Sequence, residues 1–108
     1  MIRKMLLHEE VLLLVSQAHL RRGNHTAEWI AVALDYNYGR KPDLRLFPRP
    51  ITPASVNAAL NGMSTRQSGR EWMDSDVNIS WNRRTWRMTR KGYKYAKLLR
   101  TRFPSYLP

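Results

Sequence analysis

The segment NYGRKPDLRLFPRP, residues 37–50, constrains the fold of this chain more than any other stretch. It contains three prolines and one glycine, so it forms neither a continuous helix nor a central strand, because proline fixes φ and lacks a backbone N–H. It is longer than most helix–helix connections, and long ordered loops are often functional. At 108 residues the chain is large enough for one domain and too small for two.

Two helices are predicted before this loop. The first runs from about Met5 to about Leu20 and then breaks at Arg21-Arg22-Gly23-Asn24. Its core stripe consists of apolar residues at helical spacing: Leu7, Val11, Leu14, Val15 and Ala18. A second ridge, Leu6, Leu13 and Leu20, faces either the same core or a partner such as a second copy of the chain. The second helix follows Thr26 as N-cap and continues through AEWIAVALDY.

A third helix is predicted directly after the loop, in ITPASVNAALNGM, residues 51–63. Thr52 is a good N-cap, Pro53 suits the first helical position, and Gly62 comes near the end. Its core side carries Val56, Ala59, Leu60 and Met63. The opposite side has only small or neutral polar residues, in a chain whose formal net charge is +11.

The hydrophobic period then changes to that of strands. Residues 70–73, 77–81 and 84–89 are strand-like, and a hairpin is predicted whose turn lies either at Asn82-Arg83 or in a longer loop near residues 74–76. Thr89 is predicted to cap a final helix with the stripe Tyr93, Ala96, Leu99 and Phe103. Pro104 ends that helix, and residues 104–108 are expected to be a tail.

The positive charge is concentrated after Tyr36. Nine basic residues and no acidic one lie between Arg83 and Arg102, whereas residues 1–35 are neutral overall. A one-sided basic region is typical of nucleic-acid binding, because neutralised phosphates release counterions. Solubility alone, or an acidic protein or membrane partner, is the alternative.

Several classes of site receive no support from the sequence. There is no cysteine, so disulfides and thiolate metal sites are excluded. His8, His19 and His25 lack the spacing of metal ligands, and no nucleophile–base pair is recognisable, so neither a metal, nor a cofactor, nor catalysis is expected. No apolar run is long enough to span a membrane, and a cytoplasmic location is expected, near the nucleoid or, for a viral protein, in the host.

Three segments carry a resemblance to a known family: HTAEWIAVAL, TPASVNAALNGM and WRMTRKGYKYAKLL. They are similar to the second helix, the third helix and the strand-then-helix ending of many winged helix-turn-helix DNA-binding domains, and the resemblance covers roughly residues 4–103. The resemblance implies an α+β fold with three helices, a β-hairpin wing and a C-terminal helix, in one domain over 1–103 with a long basic loop at 37–50. Family members join the second and third helices by a few residues, whereas some sixteen intervene here.

The resemblance also implies roles for individual residues. The third helix enters the major groove, where asparagine pairs with adenine and alanine meets the thymine methyl. The base-reading candidates are Thr52, Ser55, Asn57, Ala58 and Asn61. The phosphate-binding candidates are Arg66, Arg70, Arg83, Arg84 and Arg87, with Arg40 and Lys41 of the loop.

The sequence therefore predicts a small sequence-specific protein that binds double-stranded DNA, a transcriptional regulator acting as a monomer or a homodimer. The chief alternative is a protein-interaction module of the same fold, such as a small viral or mobile-element inhibitor or an accessory subunit of a host nucleoprotein machine. A third is RNA or single-strand binding, in which Trp72, Trp81 and Trp86 stack on bases. At strand spacing, tryptophans more often fill the core beneath a hairpin.

Overall fold

The computed structural model describes residues 4–38, 51–64, 70–75 and 79–104. These ranges form an α+β domain with four helices, as the sequence predicts, and one three-stranded antiparallel sheet where the sequence predicts a hairpin. The elements are α1 (Leu7–Val15), β1 (His25–Thr26), α2 (Ala27–Tyr38), α3 (Pro53–Gly62), β2 (Met73–Ser75), β3 (Thr85–Met88) and α4 (Arg90–Arg102). β3 is the central strand, in the order β1-β3-β2.

Helix α1 lies at the centre of the domain and contacts α2, α3 and α4. Every residue from Val11 to Val15 is buried, so the helix has no exposed side over this stretch. Leu13 and Leu20 belong to the same core, and Leu6 is half-buried beside it. Of the two alternatives for the second ridge, the intramolecular core is the correct one for Leu13 and Leu20, because their buried side chains leave no surface for a partner.

The prediction that α1 reaches Leu20 is wrong, since the helix ends at Val15. The Ser16 hydroxyl donates to the Leu13 carbonyl at 2.9 Å, and Arg100 Nη2 donates to both the carbonyl and the hydroxyl oxygen of Ser16 at 2.9 Å. In a longer helix the Ser16 carbonyl would accept from the Leu20 N–H, which here bonds Gln17 instead. A cation from α4 therefore satisfies the end of α1.

Replacing Arg100 with methionine is expected to lower stability by about 1.5–3 kcal/mol, the range for hydrogen bonds to charged groups. The substitution keeps the aliphatic stem and removes both donors to Ser16. Urea unfolding measures the change. The matched control is Arg102→Met, at an exposed position of the same helix. Equal loss of stability in both variants would contradict the role of Arg100 at the end of α1.

The strand predictions are partly confirmed. β3 matches the predicted strand at residues 84–89, with Trp86 buried and Thr85 and Arg87 exposed. β2 begins at Met73, the last residue of the first predicted strand, and β3 pairs with it in the register Met73↔Met88. The two-residue turn at Asn82-Arg83 is therefore wrong. The alternative loop at residues 74–76 is also wrong, because Asp74 and Ser75 lie in β2 and pair with β3. Residues 79–81 are not in a strand.

Strand β1 is a short element that the sequence did not predict. His25 pairs with Trp86 and Thr26 pairs with Thr85, so the start of α2 is fixed to the sheet. Thr26 also has the predicted capping role, since its Oγ1 accepts from Trp29 N at 3.1 Å. α2 continues to Tyr38, two residues into the segment predicted as loop.

The final helix begins as predicted. Thr89 Oγ1 accepts from Gly92 N at 3.0 Å, and α4 buries Ala96, Leu99 and, just past its end, Phe103. Tyr93 lies half-buried at the edge of this stripe. Within the described ranges, no helix is both long and apolar enough to cross a membrane. Arg40, Lys41 and Arg66, residues 39–50 of the loop and the tail at 105–108 lie outside the described residues.

Candidate functional site

The start of α3 is held by a reciprocal capping box. Thr52 Oγ1 accepts from Ser55 N at 3.1 Å, and Ser55 Oγ accepts from Thr52 N at 3.1 Å. The Ser55 hydroxyl also donates to the Thr52 carbonyl at 2.9 Å. Both hydroxyls were predicted to read bases, and in the free protein both stabilise the helix terminus.

The two sides of α3 differ sharply in chemistry. Val56 and Leu60, with Met63 just beyond the helix, are fully buried and fix α3 to the core. The opposite side is exposed and consists of small uncharged residues one turn apart: Ala54, Ala58 and Gly62. A Cβ added at Gly62 would have no atom within 4 Å. The described residues therefore leave room for another molecule to approach the α3 backbone closely.

Asn57 and Asn61 lie between these two sides and are half-buried. The Oδ1 atom of each is buried without a hydrogen-bond partner among the described residues. An amide carries two donors and an acceptor, and a buried acceptor without a partner is unfavourable. Both side chains thus have hydrogen-bonding capacity that the described part of the protein does not use.

A groove of about 370 Å³ runs along the exposed side of α3. Its described lining comes from α3, from the start of α1 and from the segment before β2: Leu6, Leu7, His8, Ser55, Ala58, Ala59, Gly62 and Arg70. The structure therefore brings two predicted base-reading residues, Ser55 and Ala58, together with one predicted phosphate-binding residue, Arg70. The Arg70 guanidinium lies 5.3 Å from the centroid of the Trp72 ring.

The three tryptophans that follow α3 in the chain have different environments. Trp86 is buried in the core, as favoured from its strand spacing. Trp72 stacks on Tyr95, with ring centroids 4.2 Å apart and an interplanar angle of 8°. Trp81 is 44% exposed, next to the exposed Asn82 and Arg83. Among these three, Trp81 is the one whose ring is open for stacking on a base.

The hairpin arginines are engaged to different degrees. Arg84 donates to the Ile79 carbonyl from Nε at 3.3 Å and from Nη2 at 3.1 Å, which holds the hairpin loop. Arg87 Nη2 lies 3.2 Å from Asp74 Oδ2, so this pair is neutral overall. The Arg83 side chain is exposed and makes no hydrogen bond or ion pair with a described residue. Of these three, Arg83 is the best placed to meet a phosphate.

A second groove, of about 310 Å³, lies between the turn after α1 and the start of α4. Its described lining is rich in arginine: Arg21, Arg22, Met88, Thr89, Arg90 and Tyr93. Sequence reasoning missed this site because Arg21-Arg22 was interpreted only as the end of a helix. The available signal was the Arg21-Arg22 pair itself. The third arginine of the lining, Arg90, lies 68 residues after Arg22 in the sequence.

In the part of the chain that the structure describes, no group of three His, Asp or Glu side chains is arranged to hold a metal ion. Comparison with known proteins found no match: no family model, no curated protein and no solved structure is significantly similar to this chain.

Proposed function

We propose that this protein binds double-stranded DNA and that the exposed side of α3 enters the major groove. The observation that carries the proposal is the chemistry of that side, where Ala54, Ala58 and Gly62 present no charge and little bulk. The major groove of B-DNA is about 12 Å wide and admits an α-helix of about 10–12 Å diameter. Small side chains let such a helix approach the base edges closely.

A winged-helix arrangement is the form of α+β fold that we propose. The element order supports it, since three helices precede a β-hairpin and a fourth helix follows. α3 and the hairpin are also connected directly, because the Met63 carbonyl accepts from Trp72 N at 3.1 Å and from Met73 N at 3.0 Å. A hairpin held at the end of α3 is well placed to contact the DNA backbone beside the major groove that α3 enters.

Base reading is assigned to Ala58 on the exposed side of α3 and to Asn57 and Asn61 beside it. The Ala58 methyl contacts a thymine methyl. The amides of Asn57 and Asn61 pair with adenine edges after their side chains rotate toward the major groove of the DNA. Such a rotation gives each buried Oδ1 atom the partner that the described residues do not provide. Thr52 and Ser55 contribute mainly by holding the start of α3.

Phosphate contacts position α3 and supply most of the affinity. Arg70 lies at the edge of the α3 groove and Arg83 lies on the exposed hairpin loop, so these two are the primary candidates. Arg84 and Arg87 stabilise the hairpin through Ile79 and Asp74. Arg40, Lys41 and Arg66 keep their predicted phosphate-binding role.

Titration of a fluorescent duplex at several salt concentrations tests the proposal. We expect affinity that falls steeply with salt, by about 0.9 in log K per unit of log salt for each phosphate neutralised. Single-stranded DNA and RNA of the same length serve as competitors, since a role for Trp81 in base stacking predicts that they bind more tightly than the duplex. No duplex binding at low salt, or preference for the single strands, would contradict the proposal.

The double substitution Asn57→Ala/Asn61→Ala is expected to relax sequence preference. Each bidentate amide–adenine pair contributes about 1–3 kcal/mol of discrimination. We therefore expect the ratio of specific to nonspecific affinity to fall at least about tenfold, with nonspecific affinity changed less than about twofold. Selection from a random DNA pool gives the preferred sequence, and Asn24→Ala, at an exposed position before β1, is the control. An unchanged sequence preference in the double variant would show that these asparagines do not read bases.

A protein-interaction function is the second candidate, because α2 exposes large apolar side chains. Trp29, Val32 and Tyr36 lie on one side of this helix and are 42%, 63% and 76% exposed. This function predicts a partner that survives nuclease treatment and is lost in the Trp29→Ser/Val32→Ser variant. Loss of duplex binding in the same variant would instead indicate that this surface of α2 contacts DNA.

A further inference from the structure

The groove between the α1–α2 turn and α4 has an arginine that is held in place by a residue distant in sequence. Arg21 Nη1 donates to the Tyr93 hydroxyl oxygen at 2.7 Å, and the Arg21 guanidinium carbon lies 4.9 Å from the Tyr93 ring centroid. Lys97 Nζ lies 4.7 Å from the same centroid. Because Tyr93 fixes the guanidinium, the remaining Arg21 N–H groups have a defined direction and less rotamer freedom to lose on binding.

The positive charge of this groove is not neutralised within the described residues. The side chains of Arg22 and Arg90 line it without a hydrogen bond or ion pair to any described residue, and no described lining residue is acidic. Two of the nearest basic side chains in sequence are paired elsewhere, Arg87 with Asp74 and Lys91 with Glu71. Three arginines therefore line one opening, and no carboxylate of the described lining balances their charge.

The donors in the groove match a phosphate group. The Tyr93 oxygen accepts from Arg21, so the phenol proton is free to be donated to a ligand. Arginine N–H groups bind phosphate oxygens in pairs, and three arginines with one phenol provide donors for several oxygens of one tetrahedral group.

We propose that Arg21, Arg22, Arg90 and Tyr93 bind a backbone phosphate of DNA, as a contact separate from α3; this inference rests on the proposed function. The α3 groove is lined by Leu6 and Leu7 at the start of α1, whereas Arg21 and Arg22 follow its end. The nine residues of α1 alone span about 13 Å. The two grooves therefore contact different phosphates, and the protein covers more of the duplex than α3 and the hairpin reach.

The test compares two double variants that remove the same charge. Arg21→Gln/Arg22→Gln removes two groove arginines, and Lys94→Gln/Arg102→Gln removes two exposed cations of α4 that do not line the groove. With a duplex of about two helical turns, we expect the first pair to weaken binding about tenfold and to lower the salt slope by about one to two. The second pair should weaken binding less than about threefold, because it acts only through long-range charge. Equal effects of the two pairs would overturn the proposal.

Two further measurements separate this proposal from its alternatives. Arg90→Gln, which removes no hydrogen bond to a described residue, should reproduce part of the loss; if it has no effect, the loss in the Arg21 variant reflects disturbed packing and the proposal fails. Pyrophosphate is titrated into the wild-type protein while the Tyr93 ring signals are followed by NMR. Saturable binding that Arg21→Gln/Arg22→Gln removes, with duplex affinity unchanged by that variant, would assign the groove to a free phosphate compound instead. If the wild type binds no duplex, the proposed function fails, and pyrophosphate binding then shows whether the groove is an anion site.

Discussion

Replacing Ala58 with glutamate is expected to abolish duplex binding and to leave the fold intact. Ala58 lies on the exposed side of α3, and glutamate is a good helix former that costs a few tenths of a kcal/mol there. The new carboxylate would face phosphates and base acceptors, and like charges across an interface cost several kcal/mol. We expect affinity to fall at least about 100-fold, which corresponds to about 2.8 kcal/mol.

The control for this variant is Leu98→Glu, which makes the same charge change on α4, where Leu98 is 57% exposed. It should weaken duplex binding only through the lower net charge, by less than about threefold. Fluorescence anisotropy gives both affinities, and circular dichroism with thermal unfolding verifies that both variants fold. Equal losses of duplex affinity in the two variants would mean that the exposed side of α3 does not lie at the DNA interface.

Replacing Gly92 with alanine is expected to destabilise the domain severely. A Cβ at this position would lie 2.9 Å from the carbonyl carbon of Trp72 and closer still to its oxygen. The approach is this close because Thr89 N donates to the Trp72 carbonyl at 3.0 Å and the Thr89 hydroxyl donates to the Glu71 carbonyl. Neither backbone segment can move without breaking these bonds, so we expect a loss of at least about 3 kcal/mol, the upper part of the range for overpacking.

Gly62→Ala is the matched control for this prediction. It is the last residue of α3, it is exposed, and an added Cβ meets nothing within 4 Å. Alanine there should change stability by no more than about 1 kcal/mol, in the stabilising direction, because it restricts the unfolded chain. Thermal unfolding should place Gly92→Ala roughly 10–20 °C below the wild type. A Gly92→Ala protein as stable as Gly62→Ala would contradict the close packing of α4 on Trp72.

The helix starts were predictable because capping is local in sequence. Thr52 and Thr89 each bond a backbone N–H three residues ahead, so the residues that fix the start of α3 and α4 lie within one short stretch. The need for glycine at position 92 was not predictable in the same way. Gly92 lies in the segment WRMTRKGYKYAKLL that carries the resemblance, but the reason for glycine there is a backbone contact with Trp72, twenty residues away.

The features that the sequence missed depend on contacts between distant residues. The end of α1 is set by Arg100, which lies 84 residues from Ser16, so the apolar pattern continues past the point where the helix stops. β1 has only two residues and forms because β3 is beside it. Such a short strand has no hydrophobic period of its own.

The same limit applies to the candidate site. The excess of basic residues was evident from composition, but the state of each arginine depends on its partner. Arg87 is paired with Asp74, Arg84 holds the Ile79 carbonyl, and Arg21 is fixed by Tyr93. Sequence reasoning weighted the hairpin and passed over the Arg21 groove, because that groove is formed by two segments that are far apart in sequence.

Mapping of the DNA-bound surface by NMR tests the central claim most directly. Amide signals of the ¹⁵N-labelled protein are followed as a duplex of about two helical turns is added to saturation at low salt. The account predicts that the largest changes occur along α3, at Ala54, Ala58, Asn61 and Gly62, with smaller changes at Arg83. Largest changes on α2, at Trp29, Val32 and Tyr36, with α3 unaffected, would contradict it.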